Sequence, residues 1–208
     1  AGPHTGHTGD FWDGHNPNVE RFIEIYSMWG DFEELVVDLL RRGAVVGFTG
    51  GGDCHEGHCF LSVEDAQGQG RTAHTFAASL LYKCGITGAA MDELTRRALV
   101  DALREHRTCA STGPRILIDF AVAGIQMGRS GSVDGTARVE ATVHACEPVD
   151  RIDIIRDGDV VHTATSDSLD QTIRWEDADV PGGRHWYFLR ITQQNGERAW
   201  SSPVWVER

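Results

Sequence analysis

The sequence predicts an α/β layer over residues 1–109 followed by an all-β antiparallel sandwich over residues 110–208. Three observations carry this expectation. Between residues 21 and 50 a β-rich run, an amphipathic run and a wholly apolar run follow one another, which is the order of a βαβ unit. Near residue 110 the helical period disappears. Beyond it come about seven short strand-like runs, separated by the turn signals Asp157-Gly158, Pro181-Gly182-Gly183 and Asn195-Gly196, as in a sandwich.

The elements follow in order. Arg21 to Ser27 (RFIEIYS) is rich in β-formers and reads as a strand. In FEELVVDLLRRG, Phe32, Leu35, Val36, Leu39 and Leu40 recur at helical spacing. Asp31 is placed to cap that helix, Glu34 to complete a capping box, and Gly43 to stop it. AVVGFTG (44–50) is an apolar run ending in glycine, as a buried parallel strand would be. A short helix is expected within 74–84 and a longer amphipathic one over 91–107, with Leu94, Ala98, Leu99, Ala102 and Leu103 on its apolar face. The aromatics of the C-terminal half, Trp175, Trp186, Tyr187, Trp200 and Trp205, are assigned to the core.

Composition narrows the function. The 208 residues carry 31 acidic and 19 basic side chains, a net charge of −12, which argues against a general nucleic-acid binder. An anionic small molecule stays possible as substrate, because bound cations reverse the field locally. No apolar run of about 18 residues exists, so no membrane span is expected. No secretory signal is visible. The five cysteines (54, 59, 84, 109, 146) are too few and odd in number for a disulfide scaffold. Cys84, Cys109 and Cys146 sit among apolar residues and read as buried thiols.

The chemistry concentrates in GFTGGGDCHEGHC (47–59), directly after the apolar strand. Sites in parallel α/β sheets form just past the C-terminal strand ends. Asp53 and His55 are two apart, so in an extended segment they leave one face, and a carboxylate with an imidazole suits Zn²⁺, Mn²⁺ or Fe. His4, His7 and His15 lie in a second Gly- and Thr-rich loop that could converge on the same point. Glu24, at the end of its strand, is a candidate base or support for the ligands. A rival reading is a structural zinc site at Cys54, His55, His58 and Cys59, and another is a binding module in which the sandwich takes a glycan or protein. Arg96, Arg97, Arg104 and Arg107 read as a solvated face, and Arg115 could reach a substrate anion. His74, His106, His144, His162 and His185 read as surface or sheet positions. No P-loop and no nucleophile elbow occurs.

Several segments together resemble a known group. EIYS (24–27), then Gly51-Gly52-Asp53-x-His55, then GITGAAMDELTRRALVDALREHRTCASTGPRI (85–116) and QQNGERAWSSPVWV (193–206) are similar to the uncharacterised family 3604 among domains of unknown function, itself similar to PHP (polymerase and histidinol phosphatase) hydrolases. The resemblance implies that residues 1–109 are the C-terminal part of a PHP-type βα barrel. It implies metal ligands at Asp53, at His55 and at His4 or His7, with hydrolysis of phosphoesters by metal-activated water. The chain departs from the PHP pattern in having no H-x-H pair, Gly52 in place of Ser, and Cys54 between the two ligands. About half of the ligand set is then missing, so weak or no turnover is expected, and an open strand edge could be covered by a second copy of the chain.

Overall fold

The computed structural model describes residues 14–27, 29–52 and 84–208. The first elements are β1 (Phe22–Ser27), β2 (Gly30–Asp31), α1 (Glu33–Arg41) and β3 (Gly47–Gly50). β1 and β3 pair in parallel, from Phe22 opposite Gly47 to Tyr26 opposite Gly50, so the βαβ unit forms where the sequence places it. Helix α1 starts one residue later than its capping pattern suggests. Its N-cap is Phe32, with no side-chain cap, while Asp31 Oδ1 accepts the Glu33 N–H at 2.8 Å. Gly43 ends it with φ of +96° and donates to the Leu40 carbonyl at 2.9 Å.

Next come β4 (Ile86–Ala89), α2 (Arg96–Arg104), β5 (Thr108–Ser111), β6 (Leu117–Val122), β7 (Ile125–Gln126), β8 (Ser130–Ser132), β9 (Ala137–His144) and β10 (Val149–Arg156). The chain ends with β11 (Asp159–Thr165), β12 (Asp170–Asp177), β13 (Arg184–Gln193), β14 (Arg198–Ser201) and β15 (Val204–Glu207). A four-stranded sheet runs β12-β9-β6-β7. An eight-stranded sheet runs β11-β10-β13-β14-β5-β4, with β15 on β13 and β8 on β15.

The expected α/β class is therefore overturned. Strands dominate, two helices are present among the described residues, and no α/β barrel is seen there. The reason lies in β4 and β5. Placed by the sequence on the α/β side, they instead join the sandwich sheet, β5 antiparallel to β14 with Trp200 opposite Ala110. Residue 110 falls inside β5, so that one strand belongs to both stretches of chain.

Three layers result, with the eight-stranded sheet in the middle. On one side Tyr187, Leu189 and Ile191 of β13 and Ile152 and Ile154 of β10 meet Phe120, Val122, Val139 and Val143 of the four-stranded sheet. On the other side Trp186 and Phe188 of β13, with Trp200 and Trp205, meet Ile23, Ile25, Val36, Leu40 and Phe48 of the βαβ layer. Alternate residues of β13 thus enter two different cores. Trp186, Tyr187, Trp200 and Trp205 are buried as expected, and Trp175 is half-buried against the first core. Cys146, expected to be a buried thiol, is instead exposed.

Polar clamps tie the βαβ layer down. The Phe48 N–H donates to Ser202 Oγ at 2.7 Å, and Ser202 Oγ lies 3.0 Å from Thr108 Oγ1. Thr87 Oγ1 accepts the Gly50 N–H at 3.0 Å and lies 2.8 Å from the Gly50 carbonyl as its donor. Hydroxyls thereby satisfy backbone groups of β3 that a neighbouring strand would otherwise pair. Arg190 bridges Glu33 Oε1 and Asp153 Oδ2, each at 2.8 Å.

Helix α2 departs from expectation in its packing. It begins at Arg96, capped by Thr95 Oγ1, which accepts the Ala98 N–H at 3.1 Å. Its apolar face is largely uncovered: Leu99 is 42% and Val100 38% exposed, and Ala102 is its one buried residue. Leu94, before its first turn, is 95% exposed.

Candidate functional site

The candidate site lies past the C-terminal ends of β1 and β3. There the chain reads Thr49-Gly50-Gly51-Gly52, and two of these glycines are required for different reasons. A Cβ on Gly50 would sit 2.6 Å from the Ile86 carbonyl oxygen and 3.1 Å from that of Ser111, so the backbones of β3, β4 and β5 meet there. A Cβ on Gly51 would sit 1.8 Å from Glu24 Oε1. The missing side chain at Gly51 makes room for the Glu24 carboxylate, which lies directly over the strand end.

Backbone hydrogen bonds join the described strands at this point. Gly51 N–H donates to the Tyr26 carbonyl and Gly85 N–H to the Gly51 carbonyl, both at 2.9 Å. A Cβ on Gly85 would press to 2.8 Å from Tyr26 Cδ1, so the tyrosine ring lies against this crossing. Tyr26 also stacks on Trp200, with ring centroids 6.2 Å apart. Burial pushes its phenol above the ordinary range, and the charge of Arg198 opposes that shift. Arg198 lies 5.2 Å over the Trp200 ring and pairs with Asp31 Oδ2 at 2.5 Å.

Of the residues singled out from the sequence, Glu24 lies inside β1 rather than at its end, and its carboxylate reaches Gly51, just past β3. His4, His7, Asp53 and His55 lie outside the described residues, as do Cys54, His58 and Cys59 of the zinc alternative and the helix expected within 74–84. His15 is described and pairs with Glu20 Oε2 at 2.8 Å, ahead of β1. Among the described residues no group of three or more His, Cys, Asp or Glu could hold a metal ion. Sequence reasoning missed Tyr26 and Arg198, whose meeting depends on β1 and β14 being laid together by tertiary contacts.

The two glycines give a prediction. Gly50→Ala drives a methyl into backbone, which cannot step aside, and should cost about 2–3 kcal/mol. Gly51→Ala meets only the end of a flexible side chain and should cost about 1 kcal/mol or less while displacing Glu24. Urea melts of both variants check this, and equal losses would contradict it.

No protein-family model matches the chain. It is similar to an uncharacterized protein of Chlamydia pneumoniae, 28% identical over 228 aligned positions that cover 92% of this chain and 35% of that protein. An uncharacterized protein of Chlamydia muridarum is 27% identical over 246 positions, covering 95% of this chain and 36% of the relative. The chain thus spans about a third of the length of the curated relatives it matches. Among solved structures, the fibronectin(III)-like modules of Clostridium thermocellum CbhA match with a TM-score of 0.33 and 13% identity, covering 44% of this chain and 94% of that one. The CARDB domain of a Pyrococcus furiosus protein matches with a TM-score of 0.30 and 10% identity, covering 44% of this chain and 94% of that one. Among the described residues no helix is long and apolar enough to cross a membrane.

Proposed function

We propose that this chain carries one side of a metal-dependent hydrolase site of the PHP kind, acting on phosphoesters or related anionic small molecules. The observation that supports the reading is the Glu24 carboxylate over Gly51, at the C-terminal end of a parallel strand pair and two residues before Asp53. Asp53 and His55 are the proposed ligands of a Zn²⁺ or Mn²⁺ ion, with Fe a further candidate and His4 or His7 adding to the shell. Such an ion would supply a water acidic enough to deprotonate near neutral pH. Glu24 is the proposed base or ligand support, held at the site's edge by the β1–β3 pair.

Metal content is the test. The purified chain should carry about one transition metal ion, and the Asp53→Asn, His55→Ala double variant should carry much less. Equal content in both rejects the assignment. Metal lost on Cys54→Ser but kept in Asp53→Asn would favour the structural zinc site instead. On a panel of phosphomonoesters and diesters with added Mn²⁺ or Zn²⁺, weak turnover is expected from these 208 residues and metal-dependent turnover from the longer chlamydial relatives.

A further inference from the structure

Beside the ion pair of Glu105 with Arg129, two contacts among the described residues hold the C-terminal end of α2. One is the ring of His106, the middle of the three residues between α2 and β5. It is 3% exposed, it meets Trp205 edge-on at 5.6 Å, and its Nε2 has no hydrogen-bond partner. The other is the fork of Arg21, whose Nε and Nη2 donate to the Arg104 carbonyl at 3.1 and 2.9 Å. Both act on a helix whose burial is slight among the described residues, with Ala102 buried and Ala98 and Leu103 half-buried.

His106 also bears the backbone strain of the junction. Its φ is +59°, the left-handed region that a residue other than glycine enters at a cost. Close packing keeps it there. A Cβ on Gly47 would lie 3.0 Å from His106 Cα, and one on Gly128 would lie 2.7 Å from the His106 carbonyl carbon. The seat therefore exists only because two glycines border it.

We propose that His106 is an acid-sensitive latch, whose protonation releases α2 from the rest of the molecule while the sandwich stays folded. A proton on this ring places a positive charge where Nε2 has no acceptor. The neighbouring charges are Arg21 ahead of β1, Glu105 and Arg107 on the same turn, and Arg129 after β7, which pairs with Glu105 at 2.6 Å. Glu105 and a backbone hydrogen bond with Gly128 favour the charged ring, but burial and the Arg21 guanidinium outweigh them and lower its pKa to about 4. Protonation therefore sets the two contacts that hold α2 against each other. Swinging out a poorly packed helix on a strained hinge disrupts less than unfolding two cores.

The sign follows from linkage. A histidine with a lowered folded pKa is fully accommodated above its ordinary 6.5, and that stability is lost as pH falls toward 4. Opening that exposes the ring should become roughly 20-fold more favourable between pH 7 and pH 5, from the 6.5 and about 4 values together.

Amide hydrogen exchange at pH 7 and pH 5, corrected for intrinsic rates, tests this. The expected result is a roughly 20-fold rise in opening for the amides of α2, unchanged protection in β9 and β13, and loss of the rise in His106→Asn, a residue that tolerates left-handed backbone. No rise in α2, an equal rise throughout the sandwich, or an undiminished rise in the variant would overturn it. Should His106→Asn fail to fold, the ring of His106 is titrated by NMR in the unaltered chain. A midpoint near 4 together with the rise in α2 opening supports the latch, and a midpoint near 6.5 or an absent rise in α2 rejects it.

Discussion

Replacing Glu33 with alanine should lower the unfolding free energy by about 3–4 kcal/mol and the melting temperature by roughly 10 °C. Glu33 opens α1 and reaches into the face of the eight-stranded sheet, its side chain 15% exposed. Its Oε2 accepts the indole N–H of the fully buried Trp200 at 2.7 Å, and its Oε1 accepts from Arg190 at 2.8 Å. Alanine leaves that indole donor without an acceptor and leaves Arg190 with Asp153 alone. Glu33→Gln should be far milder, about 1 kcal/mol, because the amide oxygen can still take the indole N–H. Burial has already raised the Glu33 carboxyl above its usual range, against the pull of Trp200 and Arg190, so giving up its charge costs less than giving up its shape. Urea melts of the three proteins decide the matter. Equal losses for Ala and Gln would show that charge, and not the acceptor, holds the helix down.

Phe48→Ala should cost about 3–5 kcal/mol, the range for an aromatic removed from a core. Phe48 is fully buried and meets Phe188 edge-on, with centroids 5.2 Å apart at 78°. The space it leaves is bounded by β13, which is hydrogen-bonded to β10 on one edge and to β14 and β15 on the other. A strand so held cannot move in to fill a void, so most of the cavity should persist. Because Phe48 and Phe188 join the βαβ layer to the sandwich, melts followed by tryptophan fluorescence and by far-ultraviolet circular dichroism should stay coincident in the variant. Two separated transitions would show instead that the outer layer melts alone.

Local pattern was legible wherever neighbours in sequence settle the structure. The β1–α1–β3 unit, Gly43 as a helix stop, the turns at Asp157-Gly158 and Asn195-Gly196, and the burial of Trp200 and Trp205 all follow from periodicity and turn chemistry. What escaped was decided by distant partners. β4 and β5 look like the next pieces of an α/β unit, yet their hydrogen-bonding edge is met by β14, some ninety residues later. The run RHWYFLRITQ offered a clue, since uninterrupted apolar residues in a strand mean burial on both faces, and a two-layer sandwich buries only one. Helix α2 misled in the opposite sense: its amphipathic stripe promises a covered face, and among the described residues Ala102 is buried while Ala98 and Leu103 are half-buried and Leu99 is exposed. Glu24 was read as a strand-end carboxylate but lies within β1, and its approach to Gly51 depends on the pairing of β1 with β3.

The central position of β13, β14 and β15 has a consequence for the order in which the molecule can be made. Ile23, Ile25, Val36, Leu40 and Phe48 are synthesised well before the surface that covers them, Trp186, Phe188, Trp200 and Trp205. At elongation rates of about 5–20 residues per second, the emerging chain carries an uncovered apolar face for roughly ten seconds or more. During translation the βαβ layer therefore stays without its cover until the strands from Arg184 onward have been made.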